Sequence, residues 1–262
     1  MIPENFLREW KEHAPWKTDG MVEQDLLICR SLVMLFSNPV LSKHLAFRGG
    51  TALHKVHLAP AWRYSEDIDL VQIVAGPIGH LFDALNASLG VLLGKPQRKQ
   101  GRGVVTLTYR IAGTSPASPT SRLKVEINSR EHFAVLEPEF RPFSLTSRWF
   151  TGTCTISTYR LEELLGTKLR ALYQRRKGRD LFDLWLGLTV GKAQPDLIAQ
   201  CFRRYMEASG LRVSCREFQL NMEQKLVHPN FIHDTDDLLR PGVTFDIAAA
   251  YAKLDQEVLS LI

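Results

Sequence analysis

Two aspartates separated by one residue, Asp67 and Asp69, begin the run Asp67-Ile68-Asp69-Leu70-Val71-Gln72-Ile73. Its first five residues alternate polar and apolar, the pattern of a half-buried strand. On a strand, residues i and i+2 share a face, so both carboxylates point one way while Ile68 and Leu70 point into a core. Two like charges held that close repel, and a cation that neutralises both removes the penalty. An all-oxygen ligand set favours Mg²⁺ or Mn²⁺ over zinc. An isolated D-x-D equally describes a solvated strand, so its neighbours carry the reading. Ser65 lies two residues upstream and faces the same side of an extended chain. Gly49-Gly50-Thr51 follows the short apolar run Leu45-Ala46-Phe47-Arg48, which reads as strand, glycine turn and helix start, with Thr51 near the N-cap. Backbone N–H groups at such a junction can hold phosphate oxygens. It is no Walker A loop, because no Gly-Lys-Ser/Thr follows. Glu126, in Leu123-Lys124-Val125-Glu126-Ile127-Asn128, is a third carboxylate on a second strand, sharing its face with Lys124 and Asn128. Three carboxylates from two strands beside a glycine turn suit a two-metal phosphoryl-transfer site.

Lys168 is the most telling single residue. Leu161, Leu164, Leu165, Leu169 and Leu172 form a stripe at helical spacing, and at about 100° per residue Lys168 lies within it. An ammonium on a core-facing stripe costs free energy unless it snorkels to solvent or meets an anion. If that anion is a nucleotide phosphate, Lys168→Met leaves stability unchanged or raises it by roughly 0.5–2 kcal/mol. If it is an internal carboxylate, stability falls. Asp180 and Asp183, three apart on the next helix, share a face beside Arg170, Arg175, Arg176, Lys177 and Arg179. They can orient Lys168, hold an incoming hydroxyl, or pair with arginines.

These groups need elements to hold them. Residues 21–36 carry a wide helical face; Leu81–Leu93 reads as a helix ending at Gly94, and Lys95–Gly103 as a basic loop. Val104–Ile111 and Leu123–Ile127 read as strands flanking a Gly/Pro/Ser loop, Ala112–Ser121. Cys154–Thr158 reads as a strand entering the helix Leu161–Arg176, and helical signals continue at 180–190, 196–209, 214–227 and 244–261. Ser214-x-x-Glu217 supplies a capping box. Strands fill the first 160 residues and helices the rest, so the fold class is α+β, a small mixed-sheet domain (1–158) followed by a helical domain (159–262).

Composition narrows the class. Among 262 residues, 33 Lys and Arg against 28 Asp and Glu give a net charge of +5, which suits a polyanionic partner without requiring one. No stretch approaches the roughly 18 uncharged apolar residues that span a bilayer. Glu4, Arg8, Glu9 and Lys11 stand where a secretory leader has its apolar core. Four scattered cysteines signal neither a disulfide framework nor a zinc site. A cytoplasmic protein with no membrane partner is expected. The groups Lys95/Arg98/Lys99/Arg102 and Arg203/Arg204/Arg212/Arg216 read as solvated surface or as a nucleic-acid track.

The string Phe47-Arg48-Gly49-Gly50-Thr51-Ala52-Leu53-x-Lys55…Arg63-x-Ser65-Glu66-Asp67-Ile68-Asp69-Leu70 resembles the first motif of the AbiEii/MenT nucleotidyltransferase toxins, of the DNA polymerase β-type superfamily. Leu161–Arg170 with Lys168 is similar to the family's lysine motif, and Arg179-Asp180-Leu181-Phe182-Asp183-Leu184 to its last, acidic one. The resemblance implies a cleft between sheet and helices in which Asp67 and Asp69, with Glu126 at the third carboxylate's place, hold Mg²⁺ or Mn²⁺. Gly49, Gly50, Thr51 and Ser65 would hold the NTP, Lys168 would neutralise its phosphates, and Asp180 and Asp183 would complete the catalytic set. It further implies the toxin half of a toxin–antitoxin or phage-defence system, a cognate antitoxin as partner, and transfer of NMP to a tRNA 3′ end or other RNA. The basic clusters flanking the cleft would serve that acceptor. The same residues would serve a protein or small-molecule acceptor, or a γ-phosphoryl-transferring kinase.

Overall fold

The computed structural model describes residues 2–101, 103–111 and 121–262; Arg102 and most of the expected 112–121 loop lie outside them. Two helices, α1 (Glu4–His13) and α2 (Asp19–Phe36), lead into the sheet. Thr18 caps α2 by accepting a hydrogen bond from the Met21 amide, and the apolar face read at 21–36 is buried. A short α3 (Pro39–His44) feeds β1 (Leu45–Arg48), which turns directly into α4 (Gly49–Ala52) and a π-turn at Leu53–His57. Then follow β2 (Asp67–Gln72), α5 (Gly79–Leu93), β3 (Gln97–Gln100), β4 (Val104–Ile111), β5 (Ser121–Asn128), β6 (Glu139–Thr146) and β7 (Thr151–Thr158).

The seven strands form one mixed sheet in the order β3-β4-β5-β2-β1-β7-β6. β2 runs parallel to β5 and antiparallel to β1. That register places Asp67 beside Lys124, Asp69 beside Glu126, and Arg48 beside Asp69 on the other side. Alternation then sorts the faces: Ile68, Leu70, Leu107, Leu123, Val125 and Ile127 are buried, while Asp67, Asp69, Thr106, Lys124 and Glu126 are half-exposed on the opposite side.

Six helices complete the chain: α6 (Leu161–Gln174), α7 (Gly178–Thr189), α8 (Pro195–Ala208), α9 (Cys215–Leu226), α10 (Pro229–Ile232) and α11 (Ile247–Glu257). The capping box at Ser214 opens α9. One apolar cluster runs continuously from Ile2 through the sheet to Leu259. All four cysteines are free, and no helix among the described residues is long and apolar enough to cross a membrane.

One local expectation is corrected. The stretch Lys95–Gly103 is not wholly loop: Gln97–Gln100, without one apolar residue, pairs with β4 as an edge strand. Neighbour pairing overrides its low strand propensity. Thr51 lies in the first turn of α4, whose N-cap is Arg48.

The position of α6 depends on a close approach at Gly166. A Cβ there would lie 2.5 Å from Cys201 Cβ and 3.0 Å from the Phe202 amide nitrogen of α8. Gly166→Ala is expected to lower unfolding stability by about 1–3 kcal/mol through overpacking, read by urea denaturation.

Candidate active site

A cleft of about 330 Å³ opens between the polar face of β2 and β5 and the start of the helical region. Gly50, Arg63, Ser65, Glu66, Asp67, Asp69, Lys124, Glu126, Lys168, Arg175, Lys177 and Arg179 line it. One wall is acidic and built on the sheet; the other is basic and built on α6, α7 and the loop before β2.

On the acidic wall, burial is the largest influence on Asp67 and pushes its carboxyl up to about 6, with Lys124 opposing and Asp69 adding to the rise. Asp69 is also raised, again by burial, against the attraction of Arg48. Both are carboxylates short of positive charge. Gly49 makes room for this arrangement. Its φ of +80° is strained for any residue with a side chain, and a Cβ would lie 2.0 Å from Asp69 Oδ2. Thr51 is buried below the cleft surface, its hydroxyl donating to the Asp67 carbonyl (2.5 Å) and lying 2.8 Å from the Ser65 hydroxyl. Thr51 therefore fixes the entry into β2, and Gly50 and Ser65 are the turn residues that reach the cleft.

The basic wall rests on two carboxylates that do not reach the cleft. Asp183, fully buried on α7, takes a bidentate clamp from Arg63 Nε and Nη2, both at 2.7 Å. His54 Nε2 lies 3.0 Å from its Oδ1, and Lys168 Nζ 3.0 Å from its Oδ2. Asp180, equally buried, is held by Arg175 Nε and Nη2 at 2.7 and 2.8 Å and by Lys168 Nζ at 3.2 Å. For both, burial alone would raise the pKa, but the surrounding cations win. Asp180 is held below the usual carboxylate range, and Asp183 well below it. Every oxygen of this pair is engaged and both residues are buried behind the cleft, so neither presents a carboxylate to an incoming hydroxyl. They hold Lys168, Arg63 and Arg175, which do line the cleft.

Arg63, which pairs with a residue far along the chain, was not legible as a site residue. Lys124 was legible only as a neighbour of Glu126 on one strand face. Its Nζ lies 3.2 Å from Asp67 Oδ2 and 3.3 Å from Glu126 Oε1. Among the described residues, the two other basic groups are not part of the lining. Lys95 and Arg98 line a separate cavity with Phe82 and Leu107, and Arg203 and Arg212 another with Phe202 and Met206. The basic residues that line the cleft on its helical side are Lys168, Arg175, Lys177 and Arg179.

Among the described residues, no group of three or more His, Cys, Asp or Glu stands close enough to hold a metal. The donor set still fits a hard divalent cation, because Mg²⁺ takes one or two carboxylates and completes its shell with substrate phosphates and water. The ammonium between Asp67 and Glu126 shows that these oxygens already accommodate a cation.

A mixed sheet presenting paired carboxylates to a cationic helical wall, beside a glycine turn, is the architecture of a nucleotidyltransferase. The family model described as nucleotidyl transferase AbiEii toxin, type IV toxin–antitoxin system, matches residues 30–253, and the chain belongs to that family. Its fold is similar to that of MenT4, the nucleotidyltransferase toxin Rv2826c from Mycobacterium tuberculosis H37Rv. That likeness has 18% identity and a TM-score of 0.63, covering 100% of this chain and 90% of the other. A candidate nucleotidyltransferase from H. pylori is similar at 17% identity and a TM-score of 0.55, covering 92% and 93%. No curated protein matches the sequence.

Of the two anions open to Lys168 from the sequence, the internal carboxylates are the ones it meets, at Asp180 and Asp183. Asp183→Asn would leave the buried guanidinium of Arg63 uncompensated, and is expected to cost about 3–5 kcal/mol. Lys168→Met is expected to cost less, about 1–2 kcal/mol, because each carboxylate keeps its own arginine. Guanidinium-chloride unfolding of the two variants checks this order.

His54 supplies a second test. Its Nδ1 faces the Trp62 amide, so the neutral ring with the proton on Nε2 satisfies both neighbours. Burial first, then Arg63, pushes its pKa down to about 4, below the ordinary 6.5. The unfolded chain therefore binds more protons between these values, and stability falls as pH drops through that window. Between pH 7 and pH 5 the protein should lose about 2 kcal/mol relative to His54→Gln. Parallel pH slopes for the two would remove this assignment.

Proposed function

We propose that this chain transfers NMP from an NTP to an RNA acceptor, preferably a tRNA 3′ end, and thereby blocks translation as the cytoplasmic toxin of its toxin–antitoxin pair. The observation that carries the reading is the opposition of the two walls. A nucleoside triphosphate is a polyanion that must be gripped at its phosphates and attacked at one of them. The cleft offers Lys168, Arg175, Lys177 and Arg179 for the first task and Asp67 with Asp69 for the second. In this reading the α+β part (1–158) and the helical part (159–262) each contribute one wall.

Lys168 and Arg175 meet the phosphates with charges already fixed by Asp180 and Asp183, so little reorganisation accompanies binding. Backbone at Gly50 and the Ser65 hydroxyl supply neutral donors at the floor of the cleft. Asp67 and Asp69, with Glu126 beside them, would hold Mg²⁺ or Mn²⁺, which when bound activates the acceptor hydroxyl and neutralises charge on the leaving oxygen. The acceptor oxygen bonds to the α-phosphorus as the α–β bridging bond breaks, pyrophosphate leaves, and the hydroxyl proton is released. Asp180 and Asp183 act as positioning residues. The preference for RNA rests on family membership and on the exposed Lys177 and half-buried Arg179 at the mouth, two cations that share the single carboxylate of Asp234.

Asp67→Asn and Asp69→Asn should each abolish transfer while leaving the fold intact, since each removes a carboxylate from a mutually repelling pair. The assay is incubation with α- or γ-labelled NTP, Mg²⁺ and a mixture of RNA and proteins. Label from the α-position on RNA supports the reading; on protein it gives a different acceptor, and γ-only transfer gives a kinase. Near wild-type transfer by either variant would remove the carboxylate assignment.

A further inference from the structure

The cleft contains two lysines that each bridge two carboxylates, and their surroundings differ in kind. Lys168 is 8% exposed and its partners are wholly buried, so moving its charge away costs Asp180 and Asp183 a contact that water cannot replace. Lys124 is 37% exposed, and its partners Asp67 and Glu126 are 31% and 35% exposed. Water can replace each of those contacts at small cost. The strand that carries Lys124 is fixed by the buried Leu123 and Val125 on either side, so only the side chain has freedom. A lysine is a hydrated point charge on a flexible stem, whereas an arginine would clamp a carboxylate with a planar fork.

Resting on the metal-dependent reading above, we propose that Lys124 is an exchangeable counter-ion. It neutralises Asp67 and Glu126 in the metal-free protein and gives way when a divalent cation takes Asp67. The acidic wall is thus never left bare: held by Lys124, its carboxylates await the cation without the full repulsion of three neighbouring negative charges. The same exchange frees an ammonium beside the phosphates at the moment they arrive. Lys124 competes with the metal for the same oxygens, and so weakens metal binding in the absence of nucleotide.

The test uses Mn²⁺ alone, titrated into the whole protein without nucleotide and followed by the electron paramagnetic resonance signal of free Mn²⁺. Lys124→Met and Lys124→Gln should bind Mn²⁺ about fivefold or more tightly than the wild type, while Lys124→Arg should bind no more tightly than it. In the unmodified protein, Mn²⁺ should increase labelling of Lys124 by an amine-reactive reagent, read by mass spectrometry, and leave Lys168 unlabelled. Equal Mn²⁺ affinity in wild type, Met and Gln variants, or weaker binding in the last two, overturns the inference. So does unchanged Lys124 labelling. If equal affinities accompany normal nucleotide transfer to RNA, only this inference fails. If metal exchange occurs without transfer to any acceptor, the exchange stands and the proposed function fails. Absence of Mn²⁺ binding in every version overturns both.

Discussion

The fully buried Asp183 is the group on which the rest of the site depends. Its two oxygens receive Arg63 from the loop before β2, His54 from the turn after α4, and Lys168 from α6. Three segments meet at one carboxylate of α7, two of them from more than a hundred residues earlier in the chain. A buried anion must be paired or its pKa rises until it is neutral. Here three donors surround it, which holds its pKa far down and the segments together. The loop that delivers Ser65 and Asp67 to the cleft is tied by Arg63 to the helix that delivers Lys168. Sheet wall and helix wall are therefore tied together through one buried ion cluster.

Charge counting explains why the two walls differ in character. Behind the helical wall, Lys168, Arg63 and Arg175 face Asp180 and Asp183, so cations exceed anions by one (3 − 2 = 1). On the sheet wall, Asp67, Asp69 and Glu126 face Lys124, with Arg48 at the flank already engaged by Glu131. The first wall carries a surplus of positive charge and the second a deficit. A polyphosphate suits the first, and a cation brought with it suits the second.

Period-two and period-3.6 patterns made much of this legible. The shared face of Asp67 and Asp69, the strand Leu45–Arg48, the strand Val104–Ile111 and the position of Lys168 within a leucine stripe all follow from local spacing. What local spacing cannot show is pairing across the chain. Arg63 and His54 are more than a hundred residues from Asp183, and nothing in Trp62-Arg63-Tyr64 marks a clamp. The strand Gln97–Gln100 exists because β4 offers it a partner, not because of its own residues. The meeting of Lys124 with Asp67 depends on β2 and β5 being parallel neighbours in one register. A one-residue slip would turn Lys124 to the opposite face.

Stability alone does not account for the ion network under the helical wall. Packed apolar side chains of the same volume would hold α6 and α7 together as well or better, because buried ion pairs barely repay their desolvation. An apolar replacement could not present an ammonium to the cleft with its direction already fixed. Lys168 is anchored by two carboxylates on one helix, three residues apart and so on one face, and each carboxylate is itself pinned by an arginine. Every rotamer in the chain of contacts is set by the next, so the cation needs no rearrangement when an anion arrives. In a site whose chemistry is mainly positioning and charge neutralisation, that fixed orientation is the part of the catalytic work a fold can complete before substrate binds.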